Sequence, residues 1–192
     1  MRRSDDTLRL FVAAYPAPEQ IHALLVATRA LGISRCRESP GDHIHLTLFF
    51  LGDRARTELE QVEESIDRAC AAASAFVLAP RRLITLPAHG TPRLVAVEAD
   101  PAPPMLELHR RLVARLSNEP RKSGGFLPHL TLCRFASGEA KQRVNQPVAC
   151  PPFLIDRVTL VRSVLHQAGA EHRAIREFHL ARPDRQTREE HA

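Results

Sequence analysis

Apolar and polar positions alternate between two periods along the chain. Arg9-Leu10-Phe11-Val12-Ala13-Ala14-Tyr15 is a short, nearly unbroken apolar run closed by Pro16, which reads as a buried strand. Over residues 18–31 the spacing becomes helical, with Ile21, Leu24, Leu25 and Thr28 on one face and Gly32 just past the end. Residues 43–52, rich in aromatic and aliphatic side chains, return to strand character. Residues 56–73 are helical again. Leu59, Val62, Ile66 and Ala69 form the apolar face, and Glu58, Glu60, Glu63 and Glu64 sit near the positive end of the dipole. Residues 76–86 read as a strand or a bent pair, and 93–99 as another strand. A third helix opens at residues 101–104 and turns Leu106, Leu108, Leu112, Val113 and Leu116 inward. Lys122-Ser123-Gly124-Gly125 is a loop, 127–135 a strand, 138–152 a polar connection and 153–165 a strand. A turn at 167–169 and a return strand over 172–180 complete a hairpin. Residues 182–192 are charged and read as a frayed tail.

This order predicts an α+β fold with antiparallel pairs and helices on the outer faces. A chain of 192 residues fits one domain built from two similar halves, here residues 1–183, with 184–192 as a flexible extension. Tryptophan is absent, so the core is expected to be aliphatic with a few Phe. A net charge of +5 and a pI near 9.6 are compatible with a polyanionic partner such as nucleic acid. Cys36, Cys70, Cys133 and Cys150 form no CxxC pair, which argues against a structural zinc site. With a polar start and no apolar run of membrane length, the expectation is a monomer in the reducing cytoplasm, away from membranes.

One tetrapeptide occurs twice: His45-Leu46-Thr47-Leu48 and His129-Leu130-Thr131-Leu132. Both copies fall in expected strands that follow a strand and a helix, which points to duplication and a pseudo-two-fold arrangement. Side chains of a strand alternate between faces. Leu46, Leu48, Leu130 and Leu132 can therefore enter the core while His45, Thr47, His129 and Thr131 line an open groove. Two imidazoles can take and give a proton, and two hydroxyls can hydrogen-bond non-bridging oxygens, which is the equipment for opening a phosphodiester. Clustered carboxylates and HxxxH pairs are missing from the sequence, so this chemistry calls for no metal and no cofactor.

The repeated block resembles the 2H phosphoesterase superfamily, defined by two HxTx motifs, and within it the RNA 2′,3′-cyclic phosphodiesterases long called 2′-5′ RNA ligases. The resemblance runs from Arg9 to Pro183. It rests on the opening strand 9–13, on residues 45–52, on Phe126-Leu127-Pro128-His129-Leu130-Thr131-Leu132-Cys133-Arg134, and on Val158-Thr159-Leu160-Val161-Arg162-Ser163 with the closing hairpin. It implies two pseudo-symmetric lobes of antiparallel sheet with helices on the outer faces and a central cleft. It implies His45 as proton donor to the leaving O3′ and His129 as proton acceptor from water, acting on RNA or a nucleotide with a 2′,3′-cyclic phosphate. The product is then a 2′-phosphomonoester, and reversal gives a 2′-5′ bond.

Further positions are of interest. Arg134 matches an Arg after the second motif and can steady a phosphate, yet its odd offset from His129 turns it to the opposite face unless a bulge or strand end intervenes. His43 stands where close relatives carry Asn; alternation puts it on the face of His45, as a rim residue or a third groove histidine touching base or sugar. Phe11 is core or a base-stacking surface. Arg93 is followed by Leu94 where relatives often carry Trp, which leaves the base-holding group open. Alternative functions are a 2H enzyme acting on another cyclic phosphate, such as ADP-ribose 1″,2″-cyclic phosphate or a U6-like RNA end, and a non-catalytic RNA-binding module, the latter disfavoured by 5% aromatics.

Overall fold

The computed structural model describes residues 6–117, 125–136, 142–166 and 169–181. The first half holds β1 (Thr7–Ala14), α1 (Pro18–Arg29), β2 (Cys36–Glu38) and β3 (Leu46–Ala55), followed by α2 (Leu59–Ala71), β4 (Phe76–Leu78) and β5 (Pro80–Leu86). Then come β6 (Leu94–Ala99), α3 (Pro103–Leu116), β7 (His129–Phe135), β8 (Asn145–Pro147), β9 (Phe153–Ile155), β10 (Arg157–His166) and β11 (Gly169–His179). Short 3₁₀ turns at Gly41–His43 and Arg56–Glu58 lead into β3 and α2.

The three helices stand where the periodicity places them. Gly32 follows α1 with φ +61°, a left-handed conformation that glycine adopts without strain. Leu106 is an exception to the expected α3 face: it is 38% exposed, and Met105 is buried instead, beside Leu108, Leu112 and Leu116. The strand expected to begin at residue 43 begins at Leu46, because His43 closes a 3₁₀ turn. The short strands β2 and β8 were hidden in polar sequence. The loop at Lys122-Ser123-Gly124, the turn at Gln167 and Ala168, part of the 138–152 connection and the tail from residue 182 lie outside the described residues.

The main sheet runs β11-β10-β1-β3-β7-β6-β5-β8 with antiparallel neighbours, β2 lies along β7, and β4 and β9 form a separate pair. The order is that of two matching halves, β11-β10-β1-β3 and β8-β5-β6-β7, meeting where β3 pairs with β7. Only Leu46 and Leu130 are in register at this seam. The α+β class and the two antiparallel lobes are thus as expected.

The seam lies within the buried core. Leu46, Leu48, Leu130 and Leu132 are all essentially buried. Each such side chain is worth about 1.5–3 kcal/mol when removed from water. A one-residue slip of either strand would expose its two leucines and bury its His and Thr, so the register is strongly fixed. The helices cross between halves: α1 packs on β7 and α3 on β3. Two polar contacts fasten α3 to β3. His109 Nδ1 lies 2.7 Å from the Leu48 carbonyl, and Arg54 donates to the Leu116 carbonyl at 2.6 Å, meeting an orphan acceptor at the helix C-terminus.

Cys36 and Cys133 form a disulfide between β2 and β7, while Cys70 and Cys150 are buried thiols. Such a bond persists in oxidising surroundings, which the expectation of a reducing compartment did not include. No helix among the described residues is long and apolar enough to cross a membrane.

Candidate active site

At the seam the leucines of both motifs point into the core, and His45, Thr47, His129 and Thr131 line one cleft of about 380 Å³ on the opposite face. The geometry follows from alternation on two neighbouring strands. The loop after β2 forms another wall, held by the Ser39 N–H donating to the Leu132 carbonyl at 2.8 Å.

The two histidines are held by different means. His129 Nδ1 lies 2.9 Å from the Leu127 carbonyl. A carbonyl only accepts, so Nδ1 carries the proton, and in the neutral ring Nε2 keeps a free lone pair. His45 sits just before β3, packed among rings. It stacks on Phe11 at 5.0 Å, tilts against Tyr15 at 5.4 Å and meets His172 edge-on at 5.3 Å. Burial, then the His172 charge, push its proton affinity down, with smaller contributions from His43 and His129. The His43 carbonyl opposes them, and the result is a pKa of about 4. No partner reaches His45 Nδ1 in full hydrogen-bonding geometry. Tyr15 is pushed up to about 12, by burial and then by Asp42, and stays a neutral phenol.

Arg134 lines the cleft despite its odd offset. The register between β6 and β7 shifts here: Val95 pairs with Cys133 but Ala96 with Thr131, so β7 carries an extra residue at Leu132. Leu132 and Cys133 are buried in succession, and Arg134 emerges on the side of His129. Arg37, paired with Arg134 across β2 and β7, joins it.

The sequence left two positions open. His43 belongs to a 3₁₀ turn, so strand alternation does not place it. It lines the cleft and stacks on His172 at 4.4 Å. Phe11 offers no open surface to a base: it is 4% exposed, in a small cluster with Ala13 and Val161 on the cleft side of β1, and it supports the His45 ring from beneath.

Sequence reasoning missed His172, Tyr15 and Arg37. The signal for His172 was available in part, as a histidine in the closing hairpin, but only the sheet order carries it to the cleft. Among the described residues, no group of three or more His, Cys, Asp or Glu is arranged to hold a metal ion. A larger, more open groove of about 570 Å³ runs along α2 past Glu60, Glu63, Glu64 and Asp67; its acidic lining repels phosphate.

Comparison with known proteins gives the family and the fold. An RNA 2′,3′-cyclic phosphodiesterase of Thermus thermophilus is 29% identical over 188 residues, covering 90% of each chain. One of Aquifex aeolicus is 25% identical over 147 residues, covering 72% of this chain and 78% of the relative. A Thermus thermophilus crystal structure superposes with a TM-score of 0.78 at 30% identity, covering 90% of this chain and 98% of that one. Escherichia coli LigT, solved with 3′-AMP, shares the fold at a TM-score of 0.70 and 22% identity, over 91% of this chain and 98% of its own. The family model of the 2′-5′ RNA ligase superfamily matches residues 17–167, a span that runs from α1 through both HLTL strands to the end of β10. The chain belongs to that superfamily, the 2H phosphoesterases, and its doubled motif lines a single cleft.

Proposed function

We propose that this protein hydrolyses the 2′,3′-cyclic phosphodiester end of RNA to a 2′-phosphomonoester, using His129 as proton acceptor and His45 as proton donor, without a metal or organic cofactor. The observation that carries the reading is the meeting of two imidazoles and two threonine hydroxyls in one cleft. The name shared by the Thermus and Aquifex relatives supports it.

In the proposed step, His129 Nε2 takes a proton from water as the water oxygen bonds to phosphorus. The P–O3′ bond breaks, and the proton on His45 passes to O3′. The Leu127 carbonyl favours this direction, because it holds the His129 Nδ1 proton and turns the basic nitrogen outward. Thr47 and Thr131 donate to the non-bridging oxygens as charge builds there, and the Arg134 guanidinium steadies the phosphate. His43 lies where the sugar or base would meet the cleft wall. His45 is neutral near pH 7 in the empty cleft; a bound phosphate anion supplies the nearby negative charge that draws a proton onto it. With a 5′-hydroxyl in place of water as nucleophile and O3′ again leaving, the same step joins a cyclic end through a 2′-5′ bond.

Incubation of the protein with adenosine 2′,3′-cyclic phosphate in EDTA, followed by chromatography that separates 2′- from 3′-AMP, tests the reading. Adenosine 2′-phosphate is expected. Formation of the 3′ isomer reverses the assigned leaving group. Turnover of ADP-ribose 1″,2″-cyclic phosphate in preference to RNA ends moves the enzyme to another substrate of the same chemistry.

A further inference from the structure

The cleft contains a ring that the doubled motif does not account for. His172 belongs to β11 and is in register with Ser163 of β10, which in turn pairs with β1. From beyond β1 it meets three rings at once: His43 face to face at 4.4 Å, Phe11 edge-on at 5.0 Å and His45 edge-on at 5.3 Å. Phe11 closes the group by stacking beneath His45. His129 is fixed by a backbone carbonyl, whereas His45 is seated by this cluster of rings.

Resting on the reading above that His45 is the proton donor, we propose that His172 is its positioning residue, which holds the His45 ring in place and competes with it for positive charge. Two imidazolium rings this close repel, so a proton on one opposes a proton on the other. The remaining groups around His45 are Tyr15 just past β1, Asp42 and His43 from the 3₁₀ turn, Arg37 and Glu38 from β2, and His129 and Arg134 from β7. Tyr15 is neutral. His172 is the charge that weighs most on His45, and burial of His172 lowers its own proton affinity in turn. An empty cleft therefore keeps His45 unprotonated but correctly aimed. An entering phosphate anion offsets the repulsion, and the donor is loaded when there is something to protonate.

The test uses the full chain, with His172→Phe to keep the ring and remove its titration, His172→Gln as a second neutral replacement, and His172→Ala to remove the bulk. The His45 Cε1 resonance is followed by NMR against pH without substrate, and kcat and KM for adenosine 2′,3′-cyclic phosphate are measured across the same range. The His45 midpoint is expected to rise by about half a pH unit or more in the Phe and Gln variants. The alkaline limb of the kcat profile should move upward with it. In the Ala variant kcat should fall about tenfold with little change in KM, the mark of a misaimed donor. A His45 midpoint unmoved in both neutral variants, in a protein that turns over normally, overturns the proposal alone. A midpoint that moves in a protein without turnover upholds the hold of His172 on His45 and overturns the assigned reaction.

Discussion

The two HLTL strands carry the same four residues and set their histidines in different surroundings. On β7, His129 is tied by its Nδ1 to the Leu127 carbonyl and keeps an open Nε2 lone pair. At the head of β3, His45 lies among Phe11, Tyr15 and His172, half-buried, with its Nδ1 covered and short of a partner. A base needs a fixed tautomer and an accessible lone pair. A donor needs a ring that surrenders its proton readily, which a buried imidazole beside other imidazoles does. On the proposed reading, identical motifs become acid and base through their surroundings, and the asymmetry lies in residues outside the repeat.

The sharpest way to break this comparison is to remove each histidine. His45→Ala and His129→Ala should each lower hydrolysis by at least ~10²-fold, and the double variant should lose far less than the product of the two. A substrate with a good leaving group at the 3′ position should restore much of the activity of His45→Ala and none of that of His129→Ala. The opposite rescue would exchange the roles.

The asymmetry should also be visible without substrate. His45 has a folded pKa of about 4 against an unfolded value near 6.5. Above 6.5 both states are neutral there and the group contributes nothing to pH dependence. Between about 6.5 and 4 the unfolded chain takes up a proton that the folded chain refuses. Stability therefore falls as pH drops through that window, by up to about 3 kcal/mol. Urea midpoints measured from pH 7 to 4 should show this decline, and His45→Gln should flatten it. An equally steep decline in the variant would mean that His45 is not the depressed group.

Smaller effects sharpen the picture. Thr47→Val and Thr131→Val each delete one neutral hydrogen bond, for about a fivefold loss in kcat, since such a bond is worth about 1 kcal/mol. A loss as large as that of the histidines would give the hydroxyls a part in proton transfer. Chelation should change nothing: rates with and without EDTA should coincide, and a loss restored by zinc or manganese would replace the two-histidine step.

What the sequence made legible is what a strand determines by itself. Alternation in the HLTL blocks separated leucines from chemistry, and helical periodicity located α1, α2 and α3. What it concealed depends on long-range pairing. His172 reaches the cleft only because β10 lies between β11 and β1. Arg134 faces the cleft because β7 has an extra residue against β6, a bulge that leaves no mark in composition. His43 escaped the strand rule because the turn at Pro40-Gly41 continues into 3₁₀ structure. Phe11, read as core or a stacking surface, is core, packed in a second, smaller cluster on the face that carries the site.

The Cys36–Cys133 bond makes part of the chain a covalent ring. Within that ring lie both active strands except for the last residues of β7, together with α2 and α3. A protease that cuts the backbone once anywhere between the two cysteines opens the ring without releasing a piece. When the cut falls between His45 and His129, the fragment bearing one stays bonded to the fragment bearing the other, and only a reductant parts them. On an electrophoresis gel such a nicked protein runs as one species until thiol is added, and then as two.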